Sequence, residues 1–189
     1  MTTTLFTNAH IATGEPGSTA ASTLPLQDIL VTDVVFTAFG PGLAQQYEAQ
    51  GGDLAAIEVV DLGGKLVCPP FCDTHLHLDY VFTARKPGAV NESGPLFEGI
   101  QRWSETKSDL TVDEIKQRAK IGIKKEMLHG VQLIRSHADV TDPNLTSLKA
   151  LLELKEELKD TVTLQIVSFP QEGMYSVSYT HLRAHETGA

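Results

Sequence analysis

Cysteine is scarce, with only Cys68 and Cys72 in 189 residues. Both are expected as buried free thiols, which suits a reducing compartment. Long apolar runs are missing too, since no stretch approaches the ~18 consecutive apolar residues of a membrane span. The first 18 residues have neither a basic start nor an apolar centre, so no secretory signal is expected and the expected location is cytoplasmic. There is no Lys- or Arg-rich block, and a net charge of −9 argues against a nucleic-acid partner held by its phosphates. Also absent are His-Glu-x-x-His, the glycine-rich dinucleotide loop, the phosphate loop, and the His-x-Glu with Pro-Cys-x-x-Cys of base-flipping zinc deaminases.

What is present is unevenly distributed. Residues 1–60 contain six acidic side chains and no Lys or Arg, whereas all 15 basic residues lie in 61–189. The first region reads as short β segments at 4–11, 28–31, 34–39 and 57–62, separated by turn-formers such as Gly14, Pro16, Gly40, Pro41 and the Gly51-Gly52 pair. Residues 18–25 and 40–53 read as surface loops. After Gly64 the pattern becomes strands alternating with long helices, the mark of a parallel sheet with crossover helices. An apolar run at 65–71 comes first. Thr111-Val112-Asp113-Glu114 has the form of a capping box, and the stripe Ile115, Ala119, Ile123, Met127 predicts a helix ending near Gly130. A strand is expected over 131–140. Asp142-Pro143 then predicts a helix start, Leu145, Leu148 and Leu152 an apolar face, and 162–169 a third strand.

The strongest chemical signal is Phe71-Cys72-Asp73-Thr74-His75-Leu76-His77-Leu78-Asp79. Alternate side chains of an extended segment point to the same side, so His75 and His77 can converge on one point, about 6–7 Å apart along the strand. Two neutral imidazoles so placed can chelate a divalent metal. A plainer reading has one His capping the strand and the other packing; the position of the pair, ending an apolar strand before a long insertion, favours the metal. A rival structural zinc site of Cys68, Cys72, His75 and His77 is disfavoured by its Cys-x3-Cys spacing and by strand parity.

Val59-Val60-Asp61-Leu62-Gly63-Gly64-Lys65 followed by that His-x-His segment resembles the entry to the barrel of the amidohydrolase superfamily. Gly94-Pro95-Leu96-Phe97-Glu98-Gly99, Arg135-Ser136-His137-Ala138-Asp139-Val140 and Ser168-Phe169-Pro170-Gln171-Glu172-Gly173 are similar to segments of the bacterial-type cytosine deaminases within it. The resemblance implies an α/β fold in which a small β-sandwich segment precedes a (β/α)8 TIM-type barrel with its metal at the strand ends. It implies His75 and His77 as metal ligands, one divalent iron or zinc as cofactor, and Gln171 and Leu96 as substrate-binding residues. The implied reaction is hydrolytic deamination of cytosine or a related amino-heterocycle. Creatinine, isocytosine or triazine deamination, cyclic-amide hydrolysis, and a non-catalytic partial metal-binding fragment stand as alternatives. The implied partner is a small-molecule substrate, with no nucleic acid and no membrane, and a homo-oligomer is compatible with the full-length enzyme.

For Gln171 the plainer reading is a loop glutamine bonding nearby backbone. His137 and Asp139 share one face of their strand, where support of the metal site and a mutually satisfied polar pair are equally good readings. Trp103 and Phe97, on a short helix of the insertion, are expected as lid packing. The family's later His ligand, catalytic Glu and strand-end Asp have no position here, so no catalytic residue is assigned. Residues 65–189 are about half of the ~250 a complete barrel takes. The expected division is therefore 1–64, β-sandwich segment; 65–176, the first three barrel strands and two helices; and 177–189, a non-family tail, artefactual or disordered.

Overall fold

Alternating apolar residues and closely spaced turn-formers commit the first stretch of chain to strands, and the computed structural model shows how they pair. It describes residues 2–12 and 24–173; the expected tail at 177–189 lies outside them. Two compact units divide at Pro69 and Pro70. In the first, β1 (Thr3–Ile11), β2 (Leu26–Thr32), β3 (Val35–Gly40) and β4 (Glu58–Asp61) form a sheet in the order β3-β2-β1-β4. Leu5, Ala9 and Ile29 are its buried apolar residues. A two-residue turn, Asp33-Val34, joins β2 to β3 with positive φ at both positions, 47° and 64°. This twist suits the hairpin but strains a β-branched residue, which glycine would relieve.

The 40–53 stretch, expected as loop, contains a helix, α1 (Leu43–Ala49). Buried Asp28 on β2 anchors it, its carboxylate accepting hydrogen bonds from the backbone N–H of Leu43 (2.9 Å) and of Asn8 (3.2 Å). Only Leu43 of α1 is buried, so the segment has no apolar stripe. The apolar run at 65–71 is likewise not one strand. Its first part, β5 (Leu66–Val67), pairs with β1, and its last residue opens β6 (Phe71–Leu76) in the second unit. Pro69 and Pro70 lie between, where two residues without N–H donors and with fixed φ cannot continue a ladder.

The second unit holds a parallel three-stranded sheet in the order β6-β7-β8, with β7 at Val131–Asp139 and β8 at Thr163–Phe169. Between β6 and β7 lie α2 (Leu96–Lys107) and α3 (Val112–Leu128); α4 (Thr146–Glu157) connects β7 to β8. Strand, helix and parallel strand in succession are the repeating step of the (β/α)8 barrel that the resemblance implies. The core joins Ile115, Ala119 and Ile123 of α3 to Leu148, Leu151 and Leu154 of α4 over Ile134 and Leu164 of the sheet. Of the face expected for α4, Leu148 is buried and Leu145 packs against the core, whereas Leu152 is 49 % exposed and Leu151 and Leu154 take its place. The start of α4 also falls later than Asp142-Pro143. Asp142 accepts from the backbone N–H of Asn144 (2.9 Å), forming a local turn, and its other oxygen accepts from the N–H of Thr146 (3.0 Å). Among the described residues no helix is long and apolar enough to cross a membrane.

The capping box of α3 forms as expected. Thr111 Oγ1 accepts from the N–H of Glu114 (3.2 Å), and the Glu114 carboxylate accepts from the N–H of Thr111 (3.0 Å). Replacing Thr111 with Ala should lower stability by about 1 kcal/mol, the usual effect of losing such a cap. Urea unfolding followed through tryptophan emission measures it; an unchanged midpoint would mean that the cap is redundant.

Candidate functional site

His75 lies near the end of β6 and His77 one residue past it. The rings meet edge to face with centroids 5.2 Å apart, and His137 of β7 stacks on His75 at 4.1 Å. His77 Nδ1 lies 3.1 Å from the backbone oxygen of His137. A carbonyl only accepts, so Nδ1 carries the proton and Nε2 keeps its lone pair. Burial holds the basicity of His77 below the ordinary histidine value, and the neighbouring His75 adds to the effect. The same two causes, in the same order, lower His137. Neutral imidazoles are what metal ligation needs.

A cavity of about 220 Å³ lies along α2. Leu96 at the start of α2 and Gln171, two residues beyond β8, both line it, together with Tyr80, Ile100, Trp103 and Thr106. Neither His75 nor His77 does. Tyr80 makes the connection, since its ring stacks on His77 at 4.7 Å and packs against Trp103 at 4.9 Å. The two cysteines do not join this arrangement. Both are exposed, contrary to the expectation of buried thiols: Cys68 precedes the two prolines, outside both β5 and β6, and Cys72 lies on an edge strand beside an exposed Phe71. Among the described residues no group of three or more His, Cys, Asp or Glu could hold a metal, so the four-ligand zinc set does not assemble.

Residues 58–187 match the sequence pattern of the Amidohydrolase family. The chain belongs to this family. The match takes in most of the segment 177–189. Among solved structures, the chain is similar to 5-methylcytosine deaminase from Klebsiella pneumoniae liganded with phosphonocytosine, at 37 % identity over 98 % of this chain and 42 % of that one, with a TM-score of 0.73. Among curated relatives it is 34 % identical to N-isopropylammelide isopropyl amidohydrolase of Pseudomonas sp. (strain ADP), over 61 % of this chain and 30 % of that protein. It is 27 % identical to a pterin deaminase of Rhizobium rhizogenes, over 78 % and 32 % respectively. The chain thus spans about a third of the length of these curated relatives.

In this amidohydrolase segment the strand ends carry more polar structure than the sequence revealed. Asp139, at the end of β7, is buried, with one oxygen accepting from Trp103 Nε1 (2.7 Å) and Lys107 Nζ (3.2 Å). Its other oxygen accepts from the N–H (2.8 Å) and hydroxyl (2.6 Å) of Thr141. Asp139 is thus satisfied, but by α2 and the following loop rather than by His137. Trp103 is buried as expected of lid packing, whereas Phe97 is exposed. Nothing in the spacing of Lys107 and Tyr80 sets them apart from ordinary helix and loop residues, and Asp79, though it ends the His-x-His segment, carries no sign in the sequence of its burial.

Asp79, fully buried, accepts the N–H of Asp139 (2.8 Å), and burial pushes its carboxyl up to about 6. The folded state therefore binds the proton more tightly than the unfolded chain, for which the ordinary value is 3.8. The stability this contributes is present below pH ~4 and is lost as pH rises through 6. Replacing Asp79 with Asn should remove that dependence: the unaltered chain minus the variant should show a stability difference that falls between pH 4.5 and pH 7. Urea midpoints at the two pH values check this, and a flat difference contradicts it.

Proposed function

We propose that the full-length enzyme to which this chain contributes the N-terminal part removes the exocyclic amine of a planar nitrogen heterocycle by hydrolysis, with cytosine as the preferred substrate. Water is consumed, the amino-bearing ring carbon gains a carbonyl, and ammonia leaves. One observation carries the reading: two histidines with convergent rings and a free Nε2 on His77 adjoin, through Tyr80, a cavity lined by both Leu96 and Gln171. The relatives support the substrate class, since their names join cytosine, ammelide and pterin, all amino-substituted planar heterocycles.

The residues fit a metal. Two imidazoles bound to one ion at ~2.0–2.1 Å with a tetrahedral angle place their ring centroids roughly 5 Å apart. The pair stands at 5.2 Å. His75 and His77 would hold a divalent iron or zinc, and the remaining ligands would come from chain beyond β8. When bound, such an ion lowers the pKa of coordinated water toward ~7 and so supplies hydroxide at neutral pH. The His137 carbonyl fixes the tautomer and rotation of His77. The Gln171 side-chain amide, with donors and an acceptor on one group, matches the alternating acceptor and donor edge of an amino-oxo pyrimidine. Leu96 and Trp103 pack on its apolar faces and exclude water.

The test is ammonia release by the full-length protein offered cytosine, isocytosine, creatinine and an aminotriazine. Cytosine should be turned over fastest, and turnover of none of them would overturn the reading. The 189-residue chain alone, lacking the later ligands, should release no ammonia from any.

A further inference from the structure

Glu172 follows the cavity-lining Gln171, and its carboxylate meets Lys107 near the C-terminal end of α2. Its Oε1 lies 2.5 Å from Lys107 Nζ, and that same ammonium lies 3.2 Å from Asp139 Oδ2 and 2.5 Å from Thr141 Oγ1. The Lys107 side chain is only 11 % exposed and that of Asp139 2 %. A cation held so far from water, with three oxygen partners, has little freedom to rearrange. Lys107 and the Ser104 hydroxyl, both on α2, hold the Glu172 carboxyl below the usual carboxylate range. Within the turn bearing Gln171, the N–H of Gln171 donates to the Phe169 oxygen (3.0 Å) and that of Gly173 to the Pro170 oxygen (2.9 Å).

The two walls of the cavity therefore meet at one ammonium. Leu96 and Trp103 come from α2, Gln171 from the end of β8, and Lys107 joins α2 to Glu172 and to the end of β7 at once. We propose that Lys107 and Glu172 are positioning residues that set where the Gln171 amide stands relative to the α2 wall, and hence which ring fits between them. This rests on the reading of the cavity as the heterocycle site. It adds to that reading a reason for the placement of Gln171: a glutamine next in sequence to an ion pair anchored on two other elements is held in place by it.

The milder variant, Glu172→Gln, cuts the charged tie to the turn and leaves Lys107 paired with Asp139. Two measurements on the 189-residue chain read its effect. Amide exchange over 170–173 should speed up roughly 10-fold, the equivalent of losing one charge-assisted hydrogen bond. Emission from Trp103, the single tryptophan, should stay unchanged because α2 remains docked. In Lys107→Met both should move, with faster exchange at 170–173 and a red-shifted Trp103. In the full-length protein, Glu172→Gln should raise KM for cytosine ~10-fold with kcat within ~3-fold, since a displaced Gln171 loses binding shared by ground and transition states. A purely structural role would lower kcat through loss of active protein and leave KM alone. Unchanged exchange in Glu172→Gln, or a fall in kcat without a rise in KM, overturns the proposal. If the unaltered full-length protein turns over no heterocycle, the proposed function fails on its own, and exchange over 170–173 still decides whether the tie holds the turn.

Discussion

Alanine in place of His77 is expected to strip the full-length enzyme of most of its metal and to lower turnover of cytosine at least ~100-fold, the upper end of what disturbing even an outer partner of a bound metal produces. The expectation follows from the ring itself. His77 offers a neutral Nε2 because its Nδ1 proton is held on the His137 oxygen, 3.1 Å away. Alanine at His137 should have a smaller effect, because it removes the ring stacked on His75 but keeps the carbonyl that orients His77. Alanine at His129, exposed at the end of α3 with its ring bonded to the Lys125 oxygen, should change neither metal content nor rate. Elemental analysis with ammonia release reads all three, and full metal occupancy in the His77 variant would remove this residue from the site.

Asp139→Ala should destabilise the chain by about 3 kcal/mol, near the lower end for removing one partner of a buried ion pair. The lower end applies because Lys107 keeps Glu172 as a second carboxylate. Even so, Trp103 Nε1 and the N–H and hydroxyl of Thr141 lose their acceptor together. Urea unfolding followed by Trp103 emission measures this at the residue that should feel it first. A loss under ~1 kcal/mol would place the pair with exposed salt bridges and weaken the view of α2 as a fixed cavity wall.

Much of this architecture was readable because its determinants are local. The capping box at Thr111 and Glu114, the stop at Gly130 with φ 86°, and the strands of both sheets follow from short-range pattern. The proximity of His75 and His77 follows from strand alternation, and the rings stand slightly closer than the backbone spacing suggests. Features set by distant partners were not readable. Helix α1 buries one side chain and is anchored by Asp28, so its own seven residues carry no amphipathic signal. The break between β5 and β6 was signalled by Pro69-Pro70, but the apolar run around them hid it. Helix α4 starts after Asp142-Pro143 because Asp142 closes a turn on Asn144 before reaching Thr146. Lys107, Asp139 and Glu172 come together from three elements, and no spacing along the chain announces such a junction. The His137 carbonyl is invisible to any reading of residue types, since every residue has one.

The central claim is that the metal of this amidohydrolase is held by imidazole at the end of β6. The K-edge X-ray absorption spectrum of the metal in the full-length protein tests it most directly. The account predicts nitrogen scatterers at about 2.0–2.1 Å with the outer-shell signature of imidazole, and loss of bound metal when His75 and His77 are both replaced by alanine. A sulfur shell at about 2.3 Å, which would bring Cys68 and Cys72 into the site, or an unchanged spectrum in the double variant, would contradict it.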